Sequence, residues 1–216
     1  MKESTSKEKV LKSIRSALMN PAASPVPDVD SESRVFHMPE ESLDLLFAHN
    51  LIEAGGEFIF CENETECAEN LKLLLNENQW KNFFCLDPEV ILLLDKFGVP
   101  YTTAKENFVQ MQVGITACEY LVARLGSVLV SSKKGSGRKL HAFPPSHTVI
   151  AYTSQLQPDL KEALLALKQK YNPLPSMVSL ITGPSRTADI EKTLIMGAHG
   201  PCSLYVFLID DVNTAV

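Results

Sequence analysis

The run ESLDLLFAHNLIEAGGEFIFCENETECAENLKLLLNENQWKNFFCLDPEVILLLDKFG, residues 41–98, decides the fold class. Its apolar residues recur at helical spacing over 41–54, stop at Gly55-Gly56, and give way to a short apolar strand at 57–61. An amphipathic helix is predicted over 65–76 and a strand over 82–86. Pro88 and Gly98 bracket a third helix, 89–97, since proline suits a first helical turn and glycine the position past the last. This αβαβα alternation implies parallel strands under covering helices, with right-handed crossovers restricting the topology.

The second half has a different rhythm. A strand is expected at 112–116, a short helix at 119–124, and a strong strand, SVLVSS, at 127–132. A glycine-rich basic loop at 133–139 leads to another strand, HTVIAY, at 147–152. Two strands this close leave no room for a crossover helix, so an antiparallel or mixed region is expected. A helix at 160–170, a strand at 177–181, a helix at 188–196 and a buried terminal strand, LYVFLI, at 204–209 complete the pattern. The class is α/β, with a mostly parallel, partly mixed sheet.

Ahead of this domain, residues 40–216, lies an arm at 1–39. Val10, Leu11, Ile14, Leu18 and Met19 stand at helical spacing, and a proline-rich extended linker follows. The whole chain has 216 residues, 20 basic against 26 acidic, and a formal charge of −6. That balance argues against a nucleic-acid partner. No apolar run approaches the ~18–20 residues of a membrane span, and the N-terminus lacks a signal-peptide core, so a cytoplasmic protein is expected. The scattered cysteines show no metal or cluster spacing and are expected to be reduced, mostly packed thiols.

Two stretches carry candidate chemistry. In ITGPSRTADIE, residues 181–191, Gly183 permits a tight turn, and a helix start at 188 would offer free N–H groups to an anion. Arg186 could add a bidentate contact. Ser185 or Thr187 would serve equally as an N-cap, while Asp189 and Glu191 would repel an anion or pair with Arg186. Because ligands of open α/β sheets bind outside the carboxyl ends of strands, this loop is expected at such an end. The loop KKGSGRK, residues 133–139, could cradle a phosphate or carboxylate through its N–H groups and Arg138, or stand solvated; it matches no phosphate-binding fingerprint. Arg186 and the 133–139 loop are expected to close over one small acid, which requires that they share a face of the sheet. His141, His147 and His199 are candidate bases with structural alternatives, His199 being the most plausible exception to a structural role. Glu119 is a candidate carboxylate base or nucleophile, or a solvated helix acid.

The order VGITACEYLVARLGSVLVSS, SGRKLHAFPPSHTVI, then SLITGPSRTADIEKTLIMGAHGP resembles the LUD domain family, specifically its lactate-utilisation C group. The resemblance runs from about Val35 to Asp210 and is strongest from Val113 onward; GPSRTADIE followed by G-x-HGP is its most specific element. It implies a three-layer α/β/α fold similar to the NagB/RpiA/CoA-transferase-like superfamily. It also implies a cytoplasmic subunit that acts with iron–sulfur and cysteine-rich partners in oxidising L-lactate to pyruvate, with no cofactor in this chain and no metal site. Such a chain would be a component of an L-lactate dehydrogenase complex. By motif position the resemblance marks Gly114, Thr116, Arg138, His147, Ser185, Arg186, Thr187 and Asp189 for binding a small acid such as lactate or pyruvate. Glu119, Glu191 and His199 are its candidate catalytic groups. Two other functions stay open: a free-standing CoA-transferase-like or sugar-phosphate-isomerase-like enzyme, and a non-enzymatic assembly or sensor module recruiting a partner through its arm.

Overall fold

Helices and strands alternate through the first half of the chain as the sequence predicts. The computed structural model describes residues 5–19, 41–190, 193–197 and 199–212. Two units are distinguished, residues 1–37 and 38–216. The first carries helix α1 (Ser6–Met19).

The second unit opens with α2 (Leu43–Glu53), β1 (Glu57–Cys61), α3 (Glu64–Glu77), β2 (Phe83–Cys85) and α4 (Pro88–Phe97). Asn63 caps α3 by accepting the Glu66 N–H at 3.0 Å. Then come β3 (Tyr101–Thr102), β4 (Val113–Ala117), β5 (Tyr120–Val122), β6 (Ser127–Ser131), β7 (Ser146–Tyr152) and β8 (Leu156–Gln157). Helix α5 (Leu160–Lys170), β9 (Val178–Ile181), β10 (Arg186–Ile190), β11 (Thr193–Met196) and β12 (Ser203–Ile209) end the chain.

Two sheets carry the core. A six-stranded sheet runs β1-β12-β7-β4-β2-β3, and each of its pairings is parallel. Its interior strands β7 and β12 are buried along nearly their whole length, β12 as an almost unbroken apolar run and β7 with Ser146, His147 and Thr148 ahead of its apolar residues. A four-stranded sheet, β8-β5-β6-β9, holds the antiparallel pairs expected of the second half. One face of the large sheet packs Ile115, Ile150 and Phe207 against Leu71 of α3 and Leu94 of α4. The other packs Val149 and Val206 against Phe47 of α2 and against Leu121 and Val128 of the small sheet. Helix α5 covers the far side of the small sheet through Ala163 and Leu167.

Two expected helices are strands. Residues 120–122 form β5, because Leu121 and Val122 pair with Val128 and Ser127 of β6 instead of closing a helical turn. Within 188–196, residues up to Ile190 belong to β10 and those from Thr193 to β11, paired antiparallel, so no helix N-terminus follows Arg186. The β-branched Thr187, Ile190, Thr193 and Ile195 disfavour a helix and favour a strand.

Candidate functional site

The segment between β6 and β7 is anchored to the domain at several points, with Ser136, Leu140 and His141 buried and Lys133, Arg138 and Lys139 exposed. Gly135 abuts β2's carboxyl end so closely that a Cβ would stand 2.2 Å from the Leu86 carbonyl oxygen. The Ser136 N–H donates to Asp87 Oδ1 at 2.6 Å, and the Ala117 N–H donates to Asp87 Oδ2 at 2.9 Å. Lys134 pairs with Glu89. The Ser136 N–H and Lys134 are thus engaged by the protein's own carboxylates, Asp87 and Glu89. Burial pushes the Asp87 carboxyl above its usual range, and those two N–H groups oppose the shift. Past this anchor Leu140 is fully buried over Gly114, where an added Cβ would lie 3.0 Å from both Leu140 Cδ1 and Pro144 Cγ.

That path delivers Arg138 and His141 to a cleft of about 450 Å³. The cleft opens at the amino ends of β7 and β12, against β9 and the turns at 182–185 and 199–201. Its walls include His147 from β7, Leu204 from β12, Leu180 from β9, and Ser185 and His199 from the turns. The turn 182–185 thus follows a strand of the small sheet and lies at the amino, not the carboxyl, ends of the large one. Its ties are Ser185 N–H to the Pro201 carbonyl (2.8 Å) and Gly197 N–H to the Ser185 carbonyl (2.9 Å). Gly183 has φ +71°, and a Cβ there would sit 2.1 Å from the Ala54 carbonyl oxygen, so the turn requires glycine.

His147 is wholly buried, with Nε2 2.8 Å from Thr116 Oγ1. Its Nδ1 has no hydrogen-bond partner, and neither has Nδ1 of the buried His141. Burial, reinforced by His141, pushes the His147 imidazole down to about 3; burial alone lowers His141. Both rings are therefore neutral at pH 7. Arg138 is exposed at the cleft and gives one N–H to Ser176 Oγ (2.6 Å), leaving other donors of its fork. Among the described lining residues there is no carboxylate and no lysine. On a protein of charge −6, this is a cleft suited to a single small anion.

The structure brings together Arg138, His147, Ser185 and His199, with Thr116 behind His147 and Gly114 beneath the loop. It does not bring Arg186 there: its guanidinium donates to the Ala54 carbonyl at the end of α2. Thr187 and Asp189 lie on β10, and nothing is described of their side chains; Glu191 lies outside the described residues. Glu119 is 1 % exposed and follows β4. It accepts from Ser131 Oγ (2.6 Å), Lys170 Nζ (2.8 Å) and Tyr171 OH (3.1 Å), bonds that hold the carboxylate in place and make it a buried group, not a solvated helix acid. Burial pushes Glu119 up, but the bonds from Lys170 and Ser131 outweigh it and hold it below the usual carboxylate range. Asp87 and His141 are the residues that sequence reasoning underrated. The Asp87-Pro88 helix start and the Pro144-Pro145 stop, which pins the segment after His141, are the signals that mark them.

Gly114, Thr116, Arg138, His147 and the turn at 183–185 all lie within one stretch of the chain that a single family model matches. The LUD domain profile matches residues 86–209. The chain belongs to the LUD domain family. This LUD protein is 33 % identical over 105 residues to Lactate utilization protein C of Bacillus licheniformis, covering 47 % of this chain and 44 % of that one. It is 35 % identical over 105 residues to Lactate utilization protein C of Bacillus subtilis, with the same coverage, 47 % and 44 %. The aligned part is thus under half the length of these relatives. A solved structure of a DUF162 family protein from Deinococcus radiodurans superposes with TM-score 0.58 at 14 % identity, covering 77 % of this LUD chain and 96 % of that one. That likeness concerns the fold.

Proposed function

We propose that this LUD protein binds a small organic acid, such as lactate or pyruvate, in the cleft and serves lactate oxidation in the cytoplasm beside iron–sulfur partner proteins. The observation that carries the reading is the cleft's charge pattern: one arginine, neutral imidazoles and no described carboxylate. The names of the Bacillus relatives support the pathway. Electron transfer belongs to the partners in this reading. Cys61, Cys67, Cys85 and Cys118 of this chain are buried thiols, and burial pushes Cys85 and Cys118 up to about 12, far from the thiolate that ligates iron. No group of three or more His, Cys, Asp or Glu able to hold a metal converges among the described residues.

The test is complementation. A strain lacking the gene should fail to grow on L-lactate; the wild-type gene should restore growth, and Arg138→Met should not. Unimpaired growth of the deletion strain on lactate would overturn the pathway assignment.

A further inference from the structure

The inner wall of the cleft holds more polar capacity than the protein itself uses. His141 and His147 are 7 % and 0 % exposed, both line the cleft, and each keeps an Nδ1 without a partner. An unsatisfied buried polar atom is costly, and folded proteins rarely retain one without a water or ligand to meet it. Thr116 fixes the His147 ring through Nε2, so its Nδ1 side cannot turn away to find a partner elsewhere. Arg138 is the only lysine or arginine of the described lining, and it is exposed while the imidazoles of His141 and His147 are buried.

Resting on the reading of the cleft as a small-acid site, we infer that His147, positioned by Thr116 and flanked by His141, reads an uncharged oxygen next to the ligand's carboxylate. The ligand class is a 2-oxo or 2-hydroxy monocarboxylate. Arg138 takes the carboxylate, and the imidazole wall takes the carbonyl or hydroxyl oxygen on the adjacent carbon. A simple carboxylate leaves the imidazole nitrogens unmet. A dicarboxylate brings a second charge to a wall with no described cation to receive it. A site built to hydrogen-bond a ligand oxygen rejects the analogue lacking it far more strongly than an apolar pocket rejects a missing methylene.

Isothermal titration of the full chain with pyruvate, L-lactate, propionate and malonate tests this. Pyruvate or lactate should bind at least about tenfold more tightly than propionate, which has the same carbon skeleton without the oxygen, and than malonate. His147→Asn keeps a polar atom near the Nδ1 position and should keep the preference; His147→Gln keeps the reach to Thr116 and should lose it. Equal binding of pyruvate and propionate overturns the inference and leaves the small-acid reading standing. Binding of none of the acids overturns that reading as well. Loss of the preference in both variants reduces His147 to a structural residue and overturns its role. Should the variants not fold, ¹⁵N NMR of histidine-labelled wild type decides. Pyruvate should shift the Nδ1 resonance of the imidazole that stays neutral at pH 5, and an unmoved resonance counts against the inference.

Discussion

His147 is the residue on which acid acts most directly. Its imidazole is lowered from 6.5 to about 3 by burial and by His141 beside it. Above pH 6.5 the ring is neutral in both folded and unfolded chains. Below it the unfolded chain takes up a proton that the folded chain refuses until about pH 3, so stability declines across that window. The slope reaches at most about 1.4 kcal/mol per pH unit from this one group. Urea midpoints measured from pH 7 to pH 4 should fall in the wild type, and His147→Gln should remove part of that slope. Parallel profiles for the two proteins would contradict a buried neutral His147. Its neighbour in sequence reasoning, Glu119, has the opposite character, a carboxylate kept charged by Lys170 and Ser131. The two were legible as unusual polar residues at strand ends. That one borders a cleft and the other is sealed depends on the second sheet, which no local pattern reveals.

At the scale of elements, the basic loop shows how composition misleads. Four cationic side chains in residues 133–139 suggest an external anion, yet the backbone donor at Ser136 is taken by Asp87. Asp87→Ala leaves the Ser136 and Ala117 N–H groups without that acceptor, at a cost of about 1–3 kcal/mol. It should speed hydrogen exchange at those two amides most, with Asp87→Asn intermediate. Exchange that is unchanged at Ser136 would show the loop to be held by other means. Elements with strong local punctuation were legible to within a residue or two: α4 between Pro88 and Gly98, α5 over Leu160–Lys170, β7 behind Pro144-Pro145, and β12 as an apolar run. The hairpin β10–β11 was not, because the run TLIM at 193–196 has too few residues to separate period 2 from period 3.6. Its β-branched content is the feature that outweighs apolar spacing. Losing that helix removes the dipole argument for an anion at Arg186, and the arginine instead closes the end of α2.

At the scale of the molecule, the αβαβα start and the close pair β6 and β7 were enough to expect parallel strands plus an antiparallel region. They were not enough to show that β6 and β7 belong to different sheets. That separation creates the site: the segment joining them runs from its anchor at Asp87 past Gly114 to the amino ends of β7 and β12, carrying Arg138 and His141 with it. The carboxyl ends offer a different environment. A cavity of about 340 Å³ there is bordered by Glu64, Asp210 and Asp211, which repel an acid, with Lys96 engaged by Glu64. No described helix is long and apolar enough to cross a membrane. The most direct test of the account is a crystal structure of the full chain grown with pyruvate. The account predicts density for the acid in the cleft between the two sheets, its carboxylate on Arg138 and its keto oxygen toward His141 and His147. Pyruvate bound instead at the carboxyl ends of the strands, beside Lys96 and Asp210, with the cleft holding only water, would contradict it.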